Sequence, residues 1–233
     1  MGEKLQTVLV GDIHGEFEDF RSILAYWKIA DAYIIQVGDF GMGFKSDDYY
    51  ARVLSSLDEF LGLNNNHLYA FRGNHDAPRY FQTTNNPFDC KNITFLADYS
   101  ELELLGKRIL CIGGAVSIDR IQRVPGRSYW EDEPFVFNET FFFSGNRAYD
   151  VVLTHTRPGV CGAFKGFAKI ADYLKHDPTL KEELIFESKE MDKVYELTKP
   201  AQWFYGHFHD ANITDYENTR FRCLDINEVC PLN

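Results

Sequence analysis

Five short apolar runs in this chain each break off into a polar motif built from Asp, Asn and His. Thr7 to Val10 leads to Gly11-Asp12-Ile13-His14-Gly15, Tyr33 to Val37 to Gly38-Asp39, and Leu68 to Phe71 to Gly73-Asn74-His75-Asp76. Further along, Asp150 to Thr154 is followed by His155, and Gln202 to Tyr205 by Gly206-His207-Phe208-His209. A short apolar run bounded by turn residues reads as a buried strand. Loops beyond the carboxyl ends of strands are where α/β sheets carry ligand sites. The pattern therefore predicts an α/β sheet with its chemistry at the strand ends.

The intervening segments agree. Phe17, Phe20, Leu24 and Trp27 recur at helical spacing. Ser46 is placed to cap a helix with an apolar face of Tyr50, Val53, Leu54, Leu57 and Leu61, and Gly62 is placed to end it. The resulting β-α-β-α-β order predicts parallel strands with right-handed crossovers. Leu102 to Leu105, Gly106-Lys107 and Arg108 to Ile112 read as a hairpin. Residues 117–135 show no period and read as a long ordered loop. Asn138 can cap a short helix through Phe141 to Phe143, where the aromatic run reads as packing. Asp177-Pro178 has N-cap and first-turn chemistry for a helix reaching Thr198. Asn212 to Tyr216 and Phe221 to Ile226 read as closing strands. With no repeat, linker or low-complexity tract, residues 1–233 are expected to form one domain.

Asp12, His14, Asp39, Asn74, His155, His207 and His209 offer oxygen and imidazole donors and no thiolate. That set suits Mn, Fe, Zn, Ni or Co, and not Ca or Mg alone. Seven side chains exceed one closed tetrahedral site but suit two metals if a carboxylate bridges. Two metals about 3.5–4 Å apart can clamp the attacking and leaving oxygens of a displacement at phosphorus. Any one of these residues alone has an ordinary structural reading, a turn for Gly38-Asp39 or a hydrogen-bonded core residue for His155. Five motifs together make those readings implausible. His67 and His176 match no motif and are read as structural.

In this order, D-x-H, G-D, G-N-H-D, H and G-H-x-H, the motifs resemble those of the calcineurin-like metallophosphoesterases, with small single-domain bacterial and phage members the most similar. The resemblance spans residues 12 to 209. It implies an α/β fold in which two mixed β-sheets pack as a sandwich flanked by helices. It assigns Asp12, His14 and His209 to one metal and Asn74, His155 and His207 to the other, with Asp39 bridging. It makes His75 catalytic without being a ligand and gives Asp76 the task of orienting the His75 imidazole. Manganese is the expected metal, with iron, zinc, nickel or cobalt as alternatives. The expected activity is metal-dependent hydrolysis of phosphomonoesters, small phosphodiesters or both, by a metal-activated water. A scaffold protein on the same fold is the alternative, but His75 and all seven ligand types are present.

Protein Ser/Thr phosphatases of this family continue the second motif as G-D-x-x-D-R-G, whereas here the run is Gly38-Asp39-Phe40-Gly41-Met42-Gly43. The phosphate-binding Arg of that branch is missing. Arg120 or Arg123, in the long loop, is a candidate to bind substrate phosphate, against the alternative of a salt bridge that orders the loop. Arg157, after His155-Thr156, is a third candidate.

The chain carries 24 Lys plus Arg against 35 Asp plus Glu, a net charge of −11. That balance argues against a long nucleic acid bound along the surface, but not against a small phosphate ester met by metals. Five cysteines without C-x-x-C spacing, no leader-like start and no bilayer-length apolar run lead to the expectation of a reduced, cytoplasmic protein with no membrane partner.

Overall fold

The computed structural model describes residues 4–82, 88–145, 148–162 and 170–233. Met1 to Glu3, on which the expectation of no leader drew, lie outside them. One five-stranded sheet has the order β11-β1-β2-β3-β4, from Val229–Pro231, Gln6–Val10, Ala32–Gln36, His67–Phe71 and Ile93–Leu96. Its strands run parallel except β11, which is antiparallel to β1. A six-stranded sheet has the order β5-β6-β7-β8-β10-β9, from Ser100–Leu104, Lys107–Ile112, Val151–Thr154, Gln202–Tyr205, Thr219–Cys223 and Asn212–Tyr216. Its middle strands are parallel, and β5 and β9 are antiparallel edges. Both sheets are thus mixed, as the resemblance implies.

Side-chain alternation along the strands builds the layers. Leu9, Ile35 and Phe71 of the first sheet share a core with Ile109, Cys111, Val151, Leu153 and Phe204 of the second, so the two sheets face each other. The alternate residues Val8, Val10, Ile34, Leu68 and Ala70 point to the opposite face. There they meet Phe20 and Leu24 of α1 (Phe17–Tyr26) and Tyr50, Leu54, Leu57 and Leu61 of α2 (Asp47–Leu63). On the outer face of the second sheet, Leu110, Ile112, Val152 and Trp203 meet Phe142 of α3 (Glu139–Phe143) and Met191, Val194 and Tyr195 of α5 (Leu180–Thr198). The outcome is a helix–sheet–sheet–helix stack.

Local signals are mostly borne out. Ser46 caps α2 by accepting from the Tyr49 N–H, and Asn138 caps α3 by accepting from the Phe141 N–H. Four expectations need correction. Trp27 follows α1 and is 60% exposed, because the helix ends before it can join the buried face. Gly62 lies inside the last turn of α2, against the side chain of Asn92, and does not end the helix. The helix expected from Asp177 begins at Leu180, and a separate α4 (Ala171–His176) precedes it. The last strand read from Phe221 spans Thr219–Cys223. Strands β4 and β11 have no counterpart in the sequence reading. Only a short 3-10 turn, Pro78–Tyr80, is described between β3 and β4, so no amphipathic helix announces the next parallel strand. Strand β11 is three residues long and ends on Pro231. Among the described residues, no helix is long and apolar enough to cross a membrane.

Candidate active site

The parallel strands of both sheets end along one seam, and all seven expected ligand residues lie just past those ends. Asp12 and His14 follow β1, Asp39 follows β2, Asn74 follows β3, His155 follows β7, and His207 and His209 follow β8. The loops are tight. His14, Asp39, His207 and His209 all have left-handed backbones, with φ of 48°, 56°, 67° and 47°. For residues other than glycine this conformation is uncommon and costs energy. Clustering of four such residues at one place marks a site held against local preference. Glycines leave the room required: a Cβ on Gly73 would strike Asp39 Oδ1 and His155 Nε2, and one on Gly206 would strike Asp12 Oδ1.

Asp12, His14, Asp39 and His209 each bring one donor atom within 4.8 Å of the others. Asp12 Oδ2 is 3.0 Å from His209 Nε2, and His14 Nε2 is 3.1 Å from that same nitrogen. Asp39 turns its other oxygen the opposite way. Asp39 Oδ1 is 3.2 Å from His155 Nε2, which is 3.0 Å from Asn74 Oδ1. His155 Nδ1 sits 2.9 Å from the Val37 carbonyl, so it carries a proton and directs Nε2 at the two oxygens. His207 stands alongside, its ring centroid 5.1 Å from that of His155, and its backbone N–H donates to Asp12 Oδ2 at 3.0 Å. Asn74 has its amide fixed: Nδ2 donates to Ser117 Oγ at 2.9 Å, and Ser117 in turn donates to buried Glu133.

Electrostatics show how strongly the cluster favours positive charge. Burial opposes a charge on His155, but Asp39 and Asp12 outweigh it and raise the imidazole to about 10. Burial likewise opposes ionised Asp39, yet His155, His75 and His14 hold that carboxyl well below its usual range. The Asp12 hydrogen bond raises His209, while burial lowers His207. A proton on His155 Nε2 thus occupies a position where two oxygens and two carboxylate charges call for a cation. The donor chemistry, the converging atoms and the side-chain-free glycines fit metal ions.

Asp76 departs from its expected role. It is fully buried, and both its oxygens are taken by backbone amides. Gly41 and Met42 N–H donate to Oδ1 at 2.7 and 2.8 Å, and Phe40 and Gly73 N–H donate to Oδ2 at 3.0 and 2.8 Å. Asp76 therefore ties the Asp39 loop to the Asn74 loop and does not orient the His75 imidazole. Burial, with help from Asp39, pushes its carboxyl up to about 7.

His75 is held by other groups. Its backbone N–H donates to Asp39 Oδ1 at 2.7 Å, and Arg123 Nη2 meets its Nε2 at 2.5 Å. A guanidinium can only donate, so Nε2 accepts. Burial lowers His75 to about 4, and Arg123 adds to that lowering. Phe44 stacks on the same ring at 6.0 Å between centroids. Arg123 is anchored by Asp119 at 2.7 Å and faces Glu133 at 3.8 Å.

The three candidate arginines part company here. Arg120 turns away: its guanidinium grips Asp177 (2.6 Å) and Glu183, with Thr179 at 2.9 Å, joining the long loop to the start of α5. That is the loop-ordering alternative. Arg123 reaches the site. Arg157 donates to the Gly162 carbonyl at 2.9 Å, lies over Phe208 at 5.3 Å, and borders the same cavity as Arg123. Sequence reasoning missed Ser117, Asp119, Glu133 and Phe44. Their one visible signal was position, since the first three belong to the stretch that supplies Arg123.

A cavity of about 580 Å³ opens from Asp39, Asn74, His75, His207 and His209 and extends towards α5.

Comparison with known proteins agrees with this geometry. The family model described as calcineurin-like phosphoesterase matches residues 5–211. No curated protein is significantly similar to the sequence. Among solved structures, TT1561 of Thermus thermophilus aligns over 98% of this chain and 99% of its own, at 12% identity and a TM-score of 0.56. Phosphopantetheinyl hydrolase from Mycobacterium tuberculosis aligns over 97% and 92% of the two chains, at 15% identity and a TM-score of 0.48. At such identities the likeness concerns the fold, and only the first score is high enough to bear on it.

Proposed function

Since this chain belongs to the calcineurin-like phosphoesterase family, and so is a metal-dependent hydrolase of phosphate esters, we propose that it cleaves small phosphomonoesters or phosphodiesters at a centre of two transition metals. The observation that carries this reading is the division of labour within Asp39. One oxygen faces the Asp12–His14–His209 group and the other faces His155 and Asn74. Asp12, His14 and His209 would hold one ion, Asn74, His155 and His207 the other, and Asp39 would bridge them. When bound, such ions supply Lewis acidity towards phosphoryl oxygens and lower the pKa of water. Manganese is the leading choice for an all-oxygen and imidazole set, with iron, zinc, nickel or cobalt also suited.

The chain's own groups do the remaining work. Arg123 brings a fixed positive charge to the mouth of the centre, where a phosphate oxygen is a better partner than a neutral imidazole. As Arg123 turns onto the phosphate, His75 Nε2 loses its cationic neighbour and is free to take up a proton from water and pass it to the leaving oxygen. Glu133 and Asp119 keep Arg123 in place, while Ser117 keeps the Asn74 amide oxygen aimed inward. Asp76 holds the two ligand loops in register.

The test is hydrolysis of p-nitrophenyl phosphate and bis-p-nitrophenyl phosphate by metal-loaded protein, across Mn, Fe, Zn, Ni and Co, with chelator and His75→Ala as controls. Turnover of at least one ester that chelator abolishes and His75→Ala reduces by on the order of 10²-fold or more is expected. Absence of turnover with every metal, or turnover equal in His75→Ala, would overturn the proposal.

A further inference from the structure

The metal-facing residues line only one end of the cavity, and the rest is of different character. Away from the centre, its walls are Ile118 from the loop after β6, Leu184 and Ile185 from α5, Tyr173 from α4, Ile170, and Phe208 from the loop after β8. These are aliphatic or aromatic side chains from four separate elements. Phe208 turns one face to Arg157, a planar cation whose Nη1 is already engaged by the Gly162 carbonyl. Ser188 and Lys189 of α5 add a hydroxyl and a cation to the walls, while the anionic groups there already have partners. Glu187 accepts from the Val116 N–H and the Thr156 hydroxyl, and Asp192 accepts from the Val160 N–H.

We infer that this arm is a specificity pocket for the organic part of the ester, and that the preferred substrates carry an uncharged aromatic group of about nucleoside-base size. The inference rests on the phosphoester reading and narrows it. Three observations support it. The arm is continuous with His75 and His207, so a phosphate at the centre directs its ester substituent along it. A volume of about 580 Å³ lies within the range that encloses small ligands. Its lining rewards burial of apolar area, and Tyr173 and Phe208 contribute aromatic rings to the walls.

Phenyl phosphate and 2-naphthyl phosphate decide the matter, since their leaving groups are nearly equal in reactivity and differ in apolar area. Metal-loaded wild type is expected to show a KM for the naphthyl ester lower on the order of ten-fold, from the added ring buried. Leu184→Asp on α5, and separately Ile118→Asp in the loop after β6, should bring the ratio of the two KM values close to one. Binding of 2-naphthol, followed by its fluorescence, reads the arm without catalysis and should weaken in both variants. Equal KM values in wild type, with 2-naphthol binding undisturbed by either substitution, would overturn the inference. If neither ester is turned over while 2-naphthol binds and both variants lose it, the pocket stands and the hydrolase reading fails. Circular dichroism melting of each variant identifies loss of fold, in which case Leu184→Ala repeats the comparison.

Discussion

Asp76 offers the sharpest separation of structural support from catalysis. Replacing it with Asn keeps its size and removes one acceptor oxygen. The carboxylate now receives four backbone N–H bonds, two on each oxygen, at 2.7–3.0 Å. An amide receives two of them and confronts the other pair with its own N–H₂. Each buried donor left without an acceptor costs about 1–3 kcal/mol, so two cost about 2–6 kcal/mol. That is a large share of a typical domain's stability of about 5–15 kcal/mol. At about 2–4 °C per kcal/mol for a chain of this length, the melting temperature should fall by at least about 4 °C. Urea unfolding followed by tryptophan fluorescence measures the change. Activity at a temperature well below the transition should fall less than in His75→Ala, because His75 is held by Arg123 and Asp39. The opposite outcome, an unshifted urea midpoint with kcat reduced as far as in His75→Ala, would refute this reasoning and restore Asp76 as the partner of His75.

Other expectations follow from the same geometry. Arg123→Ala should lower kcat/KM by on the order of 10²-fold, with Arg123→Lys recovering part of it, because a point charge replaces a two-pronged donor; steady-state kinetics on an aryl phosphate checks this. Arg120→Ala should cost about 1–3 kcal/mol in urea unfolding, because it strands buried Asp177 while the more exposed Glu183 regains water. Glu187, fully buried, has its carboxyl pushed by burial from 4.5 up to about 7. A raised acid stabilises the fold fully below its unfolded value and loses that contribution as pH rises through its folded value. Unfolding measured between pH 4.5 and 8 should therefore show a decline to which Glu187 adds up to about 3 kcal/mol alongside the likewise raised Asp76 and Glu133, and Glu187→Gln should make it shallower. Adding manganese should raise the melting temperature, with chelator reversing the gain, and Asp39→Ala should abolish the response.

Much of this was legible because the chemistry sits where regular structure stops. A strand followed by Gly-Asp or Gly-Asn-His declares both an element and a ligand, so β1, β2, β3, β7 and β8 and the seven donor residues could be read together. Helix caps at Ser46 and Asn138 were local events with local signals. What escaped depends on contacts far apart in sequence. The partners of Asp76 lie up to 36 residues away, and Arg72 serves Asp98 and the carbonyls of Glu133 and Pro134. The family resemblance implied that Asp76 should orient His75, its chain neighbour; the turn after β3 instead points the two side chains at different tasks. Arg120 and Arg123 were equivalent in sequence. A short 3-10 turn, Arg120–Gln122, separates them in space, sending one to α5 and the other to His75.

The seam between the sheets has one more consequence. Asp12, His14, Asp39 and Asn74 come from the first sheet, and His155, His207 and His209 from the second. On the proposed assignment each ion draws ligands from both sheets, so neither half presents a finished centre alone. Metal capture and docking of the two halves then become one equilibrium, with the ions acting as rivets through the sandwich. A chain whose sheets have formed but not yet met would hold metal only weakly. Tight binding would thus report completed assembly, so the protein would acquire its reactive centre last, after its tertiary structure is secure.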